Sequence, residues 1–167
     1  SDTVGSETLT MTGSGSVASQ NFSGSAQSIT LGTLSLGNGT NGGLASNYTL
    51  SGSSLTINKR PLDIDGSKIY DGNTNAADSI LTASNFATDS TTGNTETLGL
   101  SGTATISSKD AGSRTITNAT SALTLSNGSN GGLANNYTFT GGTHNFTVNT
   151  RPLDVSGTRQ YDGTTVA

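Results

Sequence analysis

The feature that most constrains this chain is an internal duplication. Residues 41–49 (NGGLASNYT) recur as residues 130–138 (NGGLANNYT), which is an offset of 89 residues. Three more segments recur in the same order at a similar spacing: 7–13 as 96–102, 60–64 (RPLDI) as 151–155 (RPLDV), and 70–74 (YDGNT) as 161–165 (YDGTT). This period exceeds the roughly 20–50 residues of solenoid coils. The duplication therefore predicts small domains, each with its own core.

The duplication can be divided in two ways. One division places the later part of a first repeat at 1–58, a complete repeat at 59–149 and the start of a third at 150–167. The other pairs 1–77 with 78–167. The sequence alone does not choose between them.

Composition excludes several classes of protein. Charged residues make up 11% of the 167 residues, hydrophobic residues 29%, and there is no Cys. The absence of Cys excludes disulfide scaffolds and thiolate metal sites. The sequence has no run of about 18 apolar residues, so no segment is predicted to insert into a membrane. A net charge of -4 argues against binding to nucleic acid. With two Pro and so small a net charge, the chain also lacks the composition typical of disorder.

The apolar residues alternate with Thr and Ser, a pattern typical of strands. We predict an all-β fold of tandem small β-sandwich-like modules that form an elongated rod. The best helical candidate is the short segment 76–86. The predicted strands are 8–12, 28–36, 48–57, 62–70, 97–107, 114–125, 137–140, 145–149 and 153–161.

The motif Tyr-Asp-Gly occurs at residues 70–72 and again at the equivalent residues 161–163. Asp can bind the backbone amide two residues on, and Gly supplies a positive φ, so the word predicts a tight turn with an architectural role. A Pro in the RPLD segment upstream of each Tyr-Asp-Gly motif indicates a stiff entry into an edge strand or a hinge between modules. The structural-motif residues are Tyr70, Asp71, Gly72, Tyr161, Asp162, Gly163, Pro61 and Pro152.

Several short motifs follow one another in a defined order along the chain. The RPLD word and the YDG word are followed by residues 109–117 (KDAGSRTIT) and 136–138 (NYT). This order resembles the YDG-type, mostly-β glycine-rich repeats of large bacterial surface adhesins similar to filamentous haemagglutinin. Asp110-Ala111-Gly112 stands where the family usually has Asn-Val-Gly. The resemblance implies export by two-partner secretion, an extracellular or cell-surface location, and a part in cell adhesion or biofilm formation.

Few residues suggest chemistry. Asp63, Asp65 and Asp71 are the candidates for a Ca²⁺ site, although ordinary turn capping explains them better. The single His, His144, is expected in an exposed turn, and we predict no catalytic or cofactor-binding residue. Lys68 and Lys109 are weak candidates for an isopeptide crosslink to Asn or Asp.

The predicted function is therefore structural, and we expect no enzyme. Neighbouring repeats of the same chain are the expected partners, and the fragment is expected to be monomeric. As an alternative, the repeat itself binds a glycan, ice or a host receptor. Thr103 and Thr105, with Thr115 and Thr117, would then form a face of hydroxyl groups.

Overall fold

A computed structural model describes residues 3–90 and 92–166. In this part of the chain strands are the main regular structure, which confirms the β-rich prediction. The thirteen described strands are β1 (Leu9–Thr12), β2 (Gln27–Ser28), β3 (Ser35–Asn38), β4 (Ser54–Leu55), β5 (Arg60–Pro61), β6 (Asp63–Ile69), β7 (Asn75–Ala77), β8 (Leu81–Ser84), β9 (Leu98–Thr105), β10 (Gly112–Thr115), β11 (Leu123–Asn127), β12 (Tyr137–Thr138) and β13 (Asn145–Asn149).

Helical segments are short. The single α-helix, α1, spans Ala119–Ala122 within the described residues, and 3-10 turns lie at Ala45–Asn47, Asp78–Ile80 and Ala134–Asn136. None of the described helices has the length and apolar character needed to cross a bilayer.

The chain divides into two compact units. Unit 1 comprises Ser1–Arg60 with Asn135–Tyr137, and unit 2 comprises Pro61–Ala134 with Thr138–Ala167. The repeat boundaries proposed from the sequence remain a prediction.

Unit 2 contains two sheets. The four-stranded sheet has the order β10-β13-β6-β8, in which β6 runs parallel to β13 and antiparallel to β8. The three-stranded sheet has the order β11-β9-β7. Leu62, directly before β6, and Ile64 on β6 are fully buried, whereas Asp65 on β6 is exposed. This alternation is the period-two pattern of a strand with one buried face.

The core of unit 2 is built from aliphatic and aromatic side chains of both sheets. None of the described polar or charged residues is fully buried. The core residues are Leu62, Ile64, Ala76, Ala104, Ile106, Ile116, Ala119, Leu123, Phe139, Phe146 and Val148.

Unit 1 has a looser interior. Its described strands form two antiparallel pairs, β1 with β3 and β2 with β4. Tyr137 is its one buried hydrophobic residue among those described, while Leu9, Phe22 and Ile29 are half-buried. Because less apolar surface leaves water, hydrophobic burial stabilises unit 1 less than unit 2.

Each unit contains an equivalent antiparallel strand pair, β1 with β3 in unit 1 and β9 with β11 in unit 2. In unit 1 Leu9 pairs with Asn38 and Met11 with Leu36. In unit 2 Leu98 pairs with Asn127 and Leu100 with Leu125. Each residue lies 89 positions after its counterpart, so the sequence duplication is also a duplication of strand register.

Several predicted strands coincide with observed ones. The predictions for 8–12, 62–70, 97–107 and 145–149 match β1, β6, β9 and β13 to within a residue or two at each end.

Other predictions are wrong. Segment 76–86 is not a helix; it contains the end of β7, one 3-10 turn and all of β8, because both strands find sheet partners. Segment 28–36 is broken by a turn in which the Leu34 amide donates to the Leu31 carbonyl at 2.9 Å. Helix α1 interrupts 114–125, and only Ser54–Leu55 of 48–57 is a strand.

The predicted strand 153–161 is also absent. These residues are exposed, and none of the described strands pairs with them. A strand exists only when a neighbour accepts and donates its backbone hydrogen bonds, and here that neighbour is missing.

Candidate functional site

The YDG word at residues 70–72 forms a tight turn at the end of β6. The Asn73 amide donates to Asp71 Oδ1 at 3.2 Å, which spans two residues, and Gly72 has a φ of +82°. The Asn75 amide then donates to Asn73 Oδ1 at 2.9 Å. Two successive side-chain-to-backbone bonds therefore carry the chain from β6 into β7.

The Lys68 ammonium group bonds to several atoms of this turn and stabilises it. Its Nζ lies 3.0 Å from Asp71 Oδ1 and donates to the carbonyls of Asn73 and Asn75 at 2.9 and 2.8 Å. It also donates to Asn73 Oδ1 at 3.0 Å. The Lys68 side chain is only 8% exposed. The bond from Lys68, followed by that from the Asn73 amide, lowers the pKa of the Asp71 carboxyl.

The second YDG word has the same arrangement with a different cation. Gly163 has a φ of +78°, and the Thr164 amide donates to Asp162 Oδ1 at 3.0 Å. Arg159, the counterpart of Lys68, lies 3.2 Å from Asp162 Oδ2. Arg159 also donates to the Thr164 Oγ1 and carbonyl and to the Val166 carbonyl. The turn is therefore a basic clamp around an aspartate, which we call the YDG clamp (residues 68–75 and 159–166).

Sequence reasoning missed the basic member of the clamp. The sequence pattern does not assign either Lys68 or Arg159 to the turn. A detectable signal was present, because a cation stands two residues before Tyr in both copies.

The structure does not gather the calcium candidates. Asp63 Oδ1 accepts hydrogen bonds from the Thr143 amide at 2.7 Å and the Thr143 hydroxyl at 2.9 Å. These two bonds lower the pKa of Asp63. Asp71 is occupied by Lys68, and Asp65 is exposed on β6. Across residues 3–90 and 92–166, no group of three or more His, Asp or Glu could hold a metal.

The prediction of a solvent-exposed His144 is wrong. The residue is half-buried, and its Nε2 is buried without a hydrogen-bond partner among the described atoms. Phe139 packs edge-on against the imidazole, with ring centroids 6.3 Å apart. The sequence predicts a turn at His144, but its backbone forms a parallel bridge with Ile64 of β6.

A shallow groove lies beside Tyr70. It has a volume of about 350 Å³ and is lined by Tyr70, Ala111, Thr150, Arg151 and Leu153. Lys109 Nζ lies 5.6 Å from the Tyr70 ring centroid and 3.4 Å from the Tyr70 hydroxyl. The bond to Tyr70 raises the pKa of Lys109. Arg151 lines the groove and Lys109 lies over the Tyr70 ring, and these two cations suit an anionic ligand. No carboxylate lines the groove for acid–base chemistry.

The threonine pairs do not present a free row of hydroxyl groups. Thr117 donates through its amide and its hydroxyl to the Thr105 carbonyl, at 2.8 and 3.0 Å. Asn118 Nδ2 donates to the Thr105 hydroxyl at 3.3 Å. Two of the four hydroxyls therefore bond within the protein.

The glycine-rich loops that follow β3 and β11 form a second internal network. Asn41 has a φ of +54° and donates to the Ser6 carbonyl at 2.9 Å; Asn130 has a φ of +56° and donates to the Thr95 carbonyl at 2.9 Å. Asn is one of the few residues that adopt this conformation readily. Both asparagines begin the repeated NGGLA segments, but the local sequence does not reveal their partners, which lie 35 residues away.

Comparison with known proteins identifies one family. Residues 54–145, more than half of the chain, match the family described as YDG domain. Neither the curated proteins nor the solved structures provide a match to this chain.

Proposed function

Because this chain belongs to the YDG domain family, we propose that it is a stalk or spacer segment of a large bacterial adhesin. In this role the repeats hold an adhesive region away from the cell and contribute to cell adhesion or biofilm formation. The parent protein would be secreted or surface-attached, and export by two-partner secretion would suit a chain without Cys. Tandem sandwich-like modules would then follow one another as a rod.

One observation carries this proposal: in both copies, equivalent polar side chains close turns by hydrogen bonding to the backbone. In the two YDG clamps, Asp71 and Asp162 accept equivalent bonds from backbone amides at 3.2 and 3.0 Å. In the two glycine-rich loops, Asn41 and Asn130 donate equivalent bonds to backbone carbonyls at 2.9 Å. A device that fixes backbone shape and recurs with the repeat suits a spacer, in which each module must resemble the last.

The contacts made by the clamp aspartates and by His144 support a non-enzymatic role. An active site requires a nucleophile, a base and a group that orients it, close together in a cleft. The described Asp residues of the clamps bind cations or backbone amides, and His144 has Phe139 as its aromatic neighbour.

The proposal is tested with arrays that contain increasing numbers of copies of residues 59–149. Small-angle scattering should show a maximum dimension that grows by a constant increment with each copy. Surfaces coated with a single copy should not retain host cells or bind a glycan array. A maximum dimension that stops growing as copies are added would overturn the rod.

The alternative function, direct binding by the repeat face, is favoured by the groove beside Tyr70. Its aromatic ring and the cations Lys109 and Arg151 would suit a carboxylated sugar. Saturable binding of such a sugar, lost in Tyr70→Ala and Arg151→Ala, would support this alternative over the spacer.

A further inference from the structure

The glycine-rich loops that follow β3 and β11 carry every Asn-Gly dipeptide of this sequence, two in each loop. The four are Asn38-Gly39, Asn41-Gly42, Asn127-Gly128 and Asn130-Gly131. In an Asn-Gly dipeptide the backbone nitrogen of Gly can attack the side-chain amide of Asn, because Gly has no Cβ to hinder the approach. The loops therefore contain a chemical reactivity that a spacer role does not use.

Asn127 is the dipeptide member that the fold of unit 2 holds most firmly. It ends β11, where it pairs with Leu98. Its Oδ1 accepts a hydrogen bond from the Ala134 amide at 2.9 Å. The Gly128 amide, which would be the attacking group, donates to the Gly132 carbonyl at 3.0 Å. Attack on Asn127 therefore requires the loss of two hydrogen bonds and the opening of a strand end.

Asn130 lies in a turn that needs only the rotation of one peptide group. Asn130 and Gly131 have φ values of +56° and +83°. The Gly132 amide donates to the Ser129 carbonyl at 3.1 Å, which completes the pattern of a type I′ turn. A type II′ turn has the same positive φ at its first central residue and differs by a flip of the central peptide group. This flip turns the Gly131 nitrogen towards the Asn130 side chain. In the part of the chain that the structure describes, the Gly131 amide has no hydrogen bond to lose.

We propose that Asn130 is a site of spontaneous deamidation and that Asn127 is protected by the fold. The Gly131 nitrogen bonds to Asn130 Cγ, and the Cγ–Nδ2 bond breaks. The proton of the Gly131 amide leaves with Nδ2 as ammonia. Water then opens the succinimide ring at either of its carbonyls, which yields aspartate or isoaspartate at position 130. Water is the only co-reactant, and nothing is oxidised or reduced.

The loop of unit 1 has the same arrangement. Asn41 has a φ of +54°, and the Gly43 amide donates to the Thr40 carbonyl at 3.1 Å. At Asn38 the attacking group would be the Gly39 amide, which donates to the Gly43 carbonyl at 2.9 Å. Asn41 should therefore react before Asn38.

Deamidation removes a bond that closes the loop. Asn130 Nδ2 donates to the Thr95 carbonyl at 2.9 Å, and a carboxylate has no hydrogen to donate. A Cβ added at Gly131 would lie 2.8 Å from Asp89 Oδ2 and 4.0 Å from Glu96 Oε1. The new charge thus forms close to two existing carboxylates, which repel it. The loop should open once Asn130 has reacted.

The test is peptide mapping by mass spectrometry of the folded full chain, aged in mildly alkaline buffer made with water that carries a heavy oxygen isotope. Each deamidation by this route incorporates the heavy oxygen. The rate at Asn130 should exceed that at Asn127 by at least about tenfold, which is the factor that one additional hydrogen bond represents. In urea, where the fold is lost, the two rates should become similar.

Several outcomes would overturn the proposal. They are equal rates at the two residues of the folded chain, faster reaction at Asn127, and no reaction at Asn130 under conditions where the unfolded chain reacts. The same ratio in urea as in buffer would assign the order of reactivity to the local sequence and would also overturn it.

Two variants test the structural effect of the modification. Asn130→Asp and Asn127→Asp each add one carboxylate to the same loop. Asn127 uses its Oδ1 as an acceptor, which Asp retains, so only Asn130→Asp should lower the thermal unfolding midpoint. Added salt should recover part of this loss, because it screens the repulsion. Equal losses in the two variants would contradict the expected opening of the loop.

Discussion

At the scale of single residues, the polar side chains of this protein mostly fix the backbone. Lys68 binds two carbonyls and an aspartate, and Asp63 binds the amide and hydroxyl of Thr143. Hydrogen bonds that involve a charged group contribute more than neutral ones. A few such groups can therefore hold loops that have little apolar surface to bury.

The first prediction concerns the YDG clamp. Lys68→Ala removes the cation from Asp71 and two backbone carbonyls, and it should lower the free energy of unfolding by about 1–3 kcal/mol. Lys68→Arg should recover most of this loss, because Arg159 performs the same task in the other copy. Urea unfolding followed by circular dichroism measures the difference. Equal midpoints for Lys68→Ala and the wild type would exclude a stabilising clamp.

The second prediction concerns acid. The Thr143 bonds lower the pKa of Asp63 in the folded state, so they stabilise the fold above the unfolded pKa of about 3.9. That stability is lost as the pH falls through the lower folded pKa. Asp63→Asn should therefore flatten the decline in stability below about pH 4, as measured by thermal unfolding across pH. Asp65→Asn, on the same strand but exposed, is the control and should retain the wild-type slope.

At the scale of elements, β6 determines how tightly unit 2 packs. A Cβ added at Gly66 would meet the Ile80 carbonyl oxygen at 2.7 Å and the side chains of Leu81 and Phe146 at 2.8 Å. The strand therefore needs Gly at this position to let its neighbours approach. Its counterpart Gly157 would place a Cβ in open space.

The third prediction follows from this pair of glycines. Gly66→Ala should destabilise unit 2 by about 1–3 kcal/mol, because the crowded side chains and backbone must shift. Gly157→Ala should leave the unfolding midpoint unchanged, because the added Cβ meets no atom within 4 Å. Differential scanning calorimetry of the two variants compares the same substitution at the same place in the repeat. A similar loss in both would mean that residues 151–161 are packed in the single chain.

At the scale of the whole molecule, the two units differ in how much they bury. Unit 2 has eleven of the twelve buried hydrophobic residues among those described, and Tyr137 is the remaining one. Local opening costs least where apolar contacts are few. The units are built from related sequences but should differ in stability.

The fourth prediction is a hierarchy of hydrogen exchange. Backbone amides of β6, β9 and β13 should exchange most slowly, and those of β1 to β4 should exchange first, under conditions where exchange reports local opening. Mass spectrometry after proteolysis resolves these segments. Uniform protection of both units would show that they open as one.

The sequence by itself determined the β-rich class, the duplication and the two YDG turns. Each of these depends on neighbouring residues: alternating apolar positions, and Asn, Asp and Gly with their own conformational preferences. Tertiary structure decided what distant residues must supply. It set the partner of Lys68, the burial of the His144 Nε2 atom and the pairing that makes 63–69 a strand while the similar 153–161 is not one. The physical reason is that a strand is stabilised by hydrogen bonds to another segment, and no local pattern encodes whether that segment is present.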